Sequence, residues 1–121
     1  LVVASEAELS LRMHGIKAEI LMDIGVAGLH RLLGKLEKIK QAKAIIACAG
    51  LEGALPTILA GLIPQPIIGV PVSVGYGVSK KGKTALQGML SSCSPGLTVV
   101  NIDNGYGAAM AALRILNTYK D

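Results

Sequence analysis

Residues 44–50 read AIIACAG, six apolar residues in a row and then a glycine. A strand with one face in water alternates apolar and polar positions. A run that is apolar at every position fits a strand covered on both faces, as in the middle of a parallel sheet. Working outward, IIGV (67–70) and LTVVNI (97–102) repeat the pattern, and AEILM (18–22) is a shorter apolar strand. The segments between them have helical spacing. Ser5 through His14 reads as a helix, with Ser5 and Glu8 spaced as a capping box and Gly15 as its stop. GVAGLHRLLGKLEKI (25–39) puts Leu29, Leu32, Leu33, Leu36 and Ile39 on one side and lysines on the other. LPTILAGLI (55–63) is a short helix ended by Pro64 and Pro66, LQGMLSS (86–92) lies in another, and GAAMAALRILNTY (107–119) closes the chain as a helix. Strand and helix alternate throughout, which predicts an α/β fold: a doubly wound, flavodoxin-like parallel sheet with right-handed crossovers, in three layers.

The totals agree with one such domain over residues 1–121. Hydrophobic residues make up 51% of the chain, yet there is no Trp or Phe and there are only three Tyr, so the core is built from Ile, Leu, Val and Ala. No apolar run approaches the ~20 residues that span a bilayer. The opening LVVASEAELS has no basic n-region and carries two glutamates, unlike a signal peptide, so a cytoplasmic protein is expected. A domain of this type begins with a full strand, whereas only Leu1-Val2-Val3 precede the first helix. The expectation is that a first strand and its loop are incomplete between Val2 and Val3.

Net charge is +4, with Lys80, Lys81 and Lys83 before one helix and Lys35, Lys38, Lys40 and Lys43 over another and its exit. The stacking aromatics and binding motifs that accompany nucleic-acid sites are absent, so a solvated face, or attraction of a small anionic substrate, is the better reading. The two cysteines form no CxxC pair and the two histidines are not suitably spaced, which argues against a structural metal and a disulfide framework.

Each strand runs into a turn of small residues: DIGVAG (23–28), AGLEGA (49–54), PVSVGYG (71–77) and NIDNGYG (101–107). The carboxyl edge of a doubly wound sheet is where ligands bind, and four glycine-rich turns there could bring backbone N–H groups to an anion. None is a GxGxxG or Walker loop, and their signal lies in repetition at one edge.

GVAGLHRLL (25–33), AGLEGALP (49–56), IIGVPVSVGYG (67–77), GMLSSC (88–93) and VVNIDNGYGAA (99–109) resemble the carboxyl-terminal domain of the LarB family. These are the carboxylase/hydrolases that begin nickel-pincer nucleotide synthesis. The domain is similar to PurE, the aminoimidazole ribonucleotide carboxylase and mutase of purine synthesis. The mutase pattern has a histidine immediately before Leu-Pro in the second turn, where this chain has Ala54, and it lacks the glutamate and cysteine found here at Glu52 and Cys93. Two departures from the LarB pattern stand out: the Ser/Thr-Asp phosphate loop after the first strand and the amino-terminal domain are not in the sequence.

The resemblance implies carboxylation of the pyridinium ring of nicotinic acid adenine dinucleotide and cleavage of its phosphoanhydride. The products are pyridinium-3,5-biscarboxylic acid mononucleotide and AMP. Carbon dioxide or bicarbonate is co-substrate, no cofactor is tightly bound, and magnesium is left open. Cys93 aligns with the family's transient nucleophile, and Glu52 with a glutamate implicated in the site. The rivals are a carboxyaminoimidazole ribonucleotide mutase and a non-catalytic nucleotide-binding or assembly domain.

Chemistry supports a cysteine, since its thiolate adds readily to an electron-poor ring and leaves again. Glu52, in a strand-end turn, could take a ring proton or activate water if burial raises its pKa. Asp23, at a strand end, could orient a ribose or act on a proton. His30 reads equally as a helix histidine or as a proton donor. The expected substrate-binding set is Gly50, Gly53, Ser73, Gly75, Tyr76, Gly77, Asp103 and Asn104, with turn formation an equal explanation for the last two. Tyr76 and Tyr106 read either as ring-stacking residues or as packing. Cys48 reads as core packing and His14 as a cap-region residue. Cys93 follows a helix and precedes a strand, which puts it at the edge opposite Glu52 of its own chain. If both act in one reaction, the site is shared between subunits of a homo-oligomer; the PurE-like resemblance suggests an octamer.

Overall fold

The computed structural model describes residues 2–21, 29–50, 54–73, 82–92 and 96–119, with the side chains of 29–31 and 54 outside that description. Eight elements follow in order: α1 Val2–Met13, α2 Leu29–Ile39, β1 Ile45–Ala49, α3 Ala54–Leu62, β2 Ile67–Pro71, α4 Lys83–Leu90, β3 Leu97–Val99 and α5 Gly105–Asn117. The strands form a parallel sheet in the order β1-β2-β3, with Ile45 opposite Ile67 and Ile67 opposite Leu97. The α/β reading of the alternating pattern therefore holds.

The uniform apolar run of β2 has the cause expected of it, whereas β1, expected to be central, is an end strand of the described sheet and is half-buried except at Ala47. All five residues of β2 are buried, and the sheet separates two cores. On one face Ile68, Val70 and Val72 meet Val3, Ala7 and Leu11 of α1 and Ala108, Ala109 and Ala112 of α5. On the other, Ala47 and Ile67 meet Leu32 and Ile39 of α2 and Leu59 of α3. Gly69 lets α3 and α4 close on the sheet, since a Cβ there would stand 3.0 Å from Met89 Sδ and 3.5 Å from Pro56 Cβ. With aliphatic side chains alone, close approach replaces aromatic bulk as the means of filling the core.

Three local expectations change. Ser5 and Glu8 do not form a capping box, because α1 already includes Val2 and Val3 and Ser5 lies within it; Glu8 instead pairs with Arg12 one turn on, at 3.3 Å. The strand expected at 18–22 has no ladder over its described part, 18–21. Those residues do keep a two-residue alternation, with Lys17 and Glu19 exposed and Ile16, Ala18 and Ile20 partly buried. A strand is defined by its neighbour, and a cavity separates this segment from β1. The strand expected over 97–102 ends at Val99, after which residues 100–104 turn to start α5. Elsewhere Gly15 ends α1 as expected, at φ 78°, and His14 is a helix-end residue whose Nδ1 lies 2.9 Å from the Ser10 carbonyl. Among the described residues no helix is long and apolar enough to cross a membrane.

Candidate active site

The carboxyl ends of β1, β2 and β3 bring Gly50, Val72-Ser73 and Asn101–Asn104 to one edge of the sheet. Asp103 organises this edge. Its carboxylate accepts the Ser73 backbone N–H at 2.9 Å through Oδ1 and the Ser73 hydroxyl at 2.5 Å through Oδ2. Its own N–H donates to the Pro71 carbonyl at 2.8 Å. Asp103 does this at φ 58°, the left-handed region, which side chains other than Asn and Asp rarely occupy. The two strand exits are thus tied across the gap between them. Gly82 completes the arrangement at the start of α4: at φ 91°, a Cβ on it would stand 2.7 Å from Ile102 Cγ2.

Asn104 is the N-cap of α5, its Oδ1 accepting the Gly107 N–H at 2.8 Å. A Cβ at Gly107 would collide with that side chain, so the glycine and the cap belong together. The contact Asn104 makes is that of a helix cap, as turn and cap formation requires. Asp103 likewise has its carboxylate engaged with Ser73, although its exposure leaves lone pairs open to solvent. Tyr106 sits in the first turn of α5 and is 54% exposed, so it is not a packing residue. Gly50 follows β1 directly, partly buried.

Sequence reasoning missed Glu6. Its Oε1 accepts the Tyr106 N–H at 3.3 Å, which places a carboxylate against the amino terminus of α5, where the helix dipole favours it. Gly105 makes this possible, because a Cβ there would lie 2.5 Å from the Val3 carbonyl oxygen and 2.8 Å from Glu6 Oε1. The signal was the glycine opening the last helix, but nothing in the sequence names its partner a hundred positions away.

Asp23, Glu52, Gly53, Gly75, Tyr76, Gly77 and Cys93 lie outside the described residues. His30 falls in the first turn of α2, with its side chain also outside them. Their flanks are informative. Gly50 and Ala54 bracket Glu52 between the carboxyl end of β1 and the start of α3. Ser92 and Gly96 bracket Cys93 between the end of α4 and the start of β3, where Leu97 pairs with Ile67 at the amino end of β2. Cys48 stands mid-strand, partly buried against the α1–α5 core, and burial pushes its thiol pKa up. That environment disfavours a thiolate.

Among the described residues, two lysines of the basic set have side-chain partners. Lys38 pairs with Glu19 at 2.5 Å, and Lys43 lies over the Tyr119 ring, 5.0 Å from its centre. Among the described residues no three His, Cys, Asp or Glu side chains converge on a point that could hold a metal ion.

Comparison with known proteins supplies the context. The profile of the family described as AIR carboxylase matches residues 2–121. An uncharacterized protein of Methanocaldococcus jannaschii is 46% identical over 112 residues, covering 91% of this chain and 43% of that protein. The N5-carboxyaminoimidazole ribonucleotide mutase of the same organism is 36% identical over 121 residues, covering 94% of this chain and 70% of the mutase. The N5-carboxyaminoimidazole ribonucleotide mutase of Pyrococcus abyssi is 30% identical over 131 residues, covering 97% and 72%. The chain spans less than half the length of the first of these relatives and about seven-tenths of the two mutases.

Proposed function

The chain belongs to the AIR carboxylase family, and from that premise we propose that it is the catalytic domain of a LarB-like carboxylase/hydrolase. Its substrate would be nicotinic acid adenine dinucleotide, and its products pyridinium-3,5-biscarboxylic acid mononucleotide and AMP. The observation that carries this reading is the residue set Glu52, Ala54 and Cys93. It has alanine where the mutase pattern has histidine, and adds a carboxylate and a thiol which that pattern lacks. The 46% identity to a protein more than twice the length of the matched segment, against 36% to a mutase, agrees with it.

The chemistry assigned to these residues balances without a redox step. The pyridinium ring is electron-poor and does not attack carbon dioxide. Addition of the Cys93 thiolate at ring C4 gives a 1,4-dihydropyridine whose C5=C6–N unit is an enamine. C5 then attacks carbon dioxide and the ring nitrogen takes up the positive charge as an iminium. A base, assigned to Glu52, removes the C5 proton, and the nitrogen lone pair expels the thiolate to restore the aromatic ring. The net change is C–H to C–CO₂⁻ with release of a proton. Water cleaves the phosphoanhydride separately. Cysteine suits the role because one group must serve as both nucleophile and leaving group.

The test is mass spectrometry of reactions of the full-length protein with nicotinic acid adenine dinucleotide and bicarbonate, wild type beside Cys93→Ser. AMP and a carboxylated mononucleotide from the wild type alone support the proposal. The mutase identity of two of the relatives favours a second reading, conversion of carboxyaminoimidazole ribonucleotide. Turnover of that substrate by both proteins, with none of the dinucleotide, would establish it.

A further inference from the structure

The turn from β3 into α5 directs its backbone donors inward: every N–H from Ile102 to Ala108 ends on an oxygen of the protein. Ile102 donates to Asn101 Oδ1 and Asp103 to the Pro71 carbonyl, both at 2.8 Å. Asn104 donates to the Asn101 carbonyl at 3.2 Å, Gly105 to the Asp103 carbonyl at 3.0 Å and Ala108 to the Asn104 carbonyl at 3.1 Å. The Tyr106 and Gly107 N–H groups end on Glu6 Oε1 and Asn104 Oδ1. Beside them Ser73 gives both its N–H and its hydroxyl proton to Asp103. The Asn104 amide nitrogen is a neutral donor lying against Gly107. NIDNGYG therefore departs from the expectation that such turns offer N–H groups to an anion. Its glycines serve packing, Gly105 against the Val3 carbonyl and Gly107 against the Asn104 cap.

What this turn presents to a ligand is acceptor. Each Asp103 carboxylate oxygen takes one bond from Ser73 and keeps a second lone pair, and the residue is exposed. Ser73 Oγ, its proton committed to Asp103, offers lone pairs as well. No lysine, arginine or histidine pairs with Asp103 among the described residues, so its charge is uncompensated. A phosphate held at a helix start uses free N–H groups or cations. Here it would meet a carboxylate and no free backbone donor. A hydroxyl is the opposite case, since it donates, and two adjacent hydroxyls match the two oxygens of one carboxylate. A carboxylate past a strand end reads ribose in this way in dinucleotide-binding sheets. We propose that the Asp103–Ser73 pair takes the vicinal diol of a ribose, and that the phosphate of the same nucleotide lies away from this turn. The inference rests on the function proposed above only in that the substrate is a ribonucleotide, which holds for the dinucleotide and for carboxyaminoimidazole ribonucleotide alike.

Calorimetric titration of the full-length protein tests the assignment, with nicotinic acid mononucleotide and carboxyaminoimidazole ribonucleotide as probes, each beside its 2′,3′-dideoxy form. Wild type is compared with Asp103→Asn, which removes the charge, keeps an oxygen for the Ser73 N–H and tolerates the left-handed backbone. Wild type is expected to bind the ribose form of its nucleotide about tenfold more tightly than the dideoxy form. Asp103→Asn is expected to lose about tenfold on the ribose form and nothing on the dideoxy form. Tighter binding by the variant would place an anionic group at this turn and overturn the proposal. An equal loss on both sugar forms would make Asp103 a structural residue and overturn it too. A loss seen with magnesium but not in EDTA would put a cation on the carboxylate, with the same consequence. The wild-type comparison of the two sugars stands without any variant. Which nucleotide binds reports on the reaction, and how binding answers to the diol reports on Asp103. Binding of neither nucleotide would overturn this inference together with both catalytic readings.

Discussion

The Asp103 carboxylate holds Ser73 by both its N–H and its hydroxyl, while the Asp103 backbone occupies the left-handed region at φ 58°. The side chain and the backbone pull in opposite directions on stability, and two substitutions separate them. Asp103→Ala loses the hydrogen bonds and keeps the unfavourable φ. Asp103→Gly loses the same bonds and relieves it. The alanine variant is expected to be less stable than the glycine variant by about 1 kcal/mol in urea denaturation. Ser73→Ala, which keeps the N–H bond, costs less than about 1 kcal/mol. Equal stability of the two Asp103 variants would show that φ at this position carries no strain.

Gly105 and Gly69 both permit close packing, but different atoms face them. A Cβ on Gly105 meets backbone, the Val3 carbonyl at 2.5 Å, and moving it means moving α1 away from α5. A Cβ on Gly69 meets the Met89 sulfur at 3.0 Å, the adaptable end of a flexible side chain. Gly105→Ala is expected to cost about 3 kcal/mol and Gly69→Ala about 1 kcal/mol. Thermal or urea unfolding of the two variants checks the order. The reverse order would mean that the sheet–helix contact, and not the α1–α5 contact, is the tighter constraint.

The strand legible for the expected reason is β2, whose apolar run is buried on both sides. IIGV was readable because Val70, at 0% exposure, and its neighbours have helices above and below, whereas AIIACA kept its apolar run with only Ala47 buried. Residues 18–21 of AEILM form no ladder for a reason composition does not carry: pairing depends on a neighbour, and β1 stands across a cavity from them. Ser5 and Glu8 have the spacing of a capping box, but spacing cannot say where the helix begins. At the site, the sequence located the edge through its repeated glycine turns, and Ser73, Asp103 and Asn104 do gather there. The Asp103–Ser73 bond joins residues thirty positions apart and Glu6–Tyr106 a hundred, and pattern reading reaches no further than one element.

Cys48 predicts a pH effect with a definite sign. Burial raises its thiol pKa in the folded state. Its contribution is present in full below the ordinary thiol range and is lost as pH rises through the raised folded value. Wild-type stability is therefore expected to fall on the alkaline side of the thiol range, and Cys48→Val, similar in volume, to fall less over the same interval. Denaturation of both across that range measures the difference. The same variant is expected to keep turnover, whereas Cys93→Ser loses it. A Cys48→Val protein without activity would move the nucleophile to β1.

The positions flanking the two proposed catalytic residues make the last prediction. Gly50, two positions before Glu52, stands at the carboxyl edge of β1, and Gly96, after Cys93, at the amino edge of β3. In this register Gly96 is level with residue 44, which puts the two positions about 20 Å apart along the strands, too far for one side chain to bridge. If Glu52 and Cys93 act on one substrate, they come from different subunits, and inactive variants should rescue each other. Glu52→Gln and Cys93→Ser, each inactive alone, are unfolded together, refolded as a mixture and assayed. Random assembly of equal amounts gives about one site in four an intact glutamate from one subunit and an intact cysteine from its neighbour. Recovery of about a quarter of wild-type activity is expected. A mixed oligomer with no activity would place both residues in one subunit, and the oligomer would then have no part in completing the site.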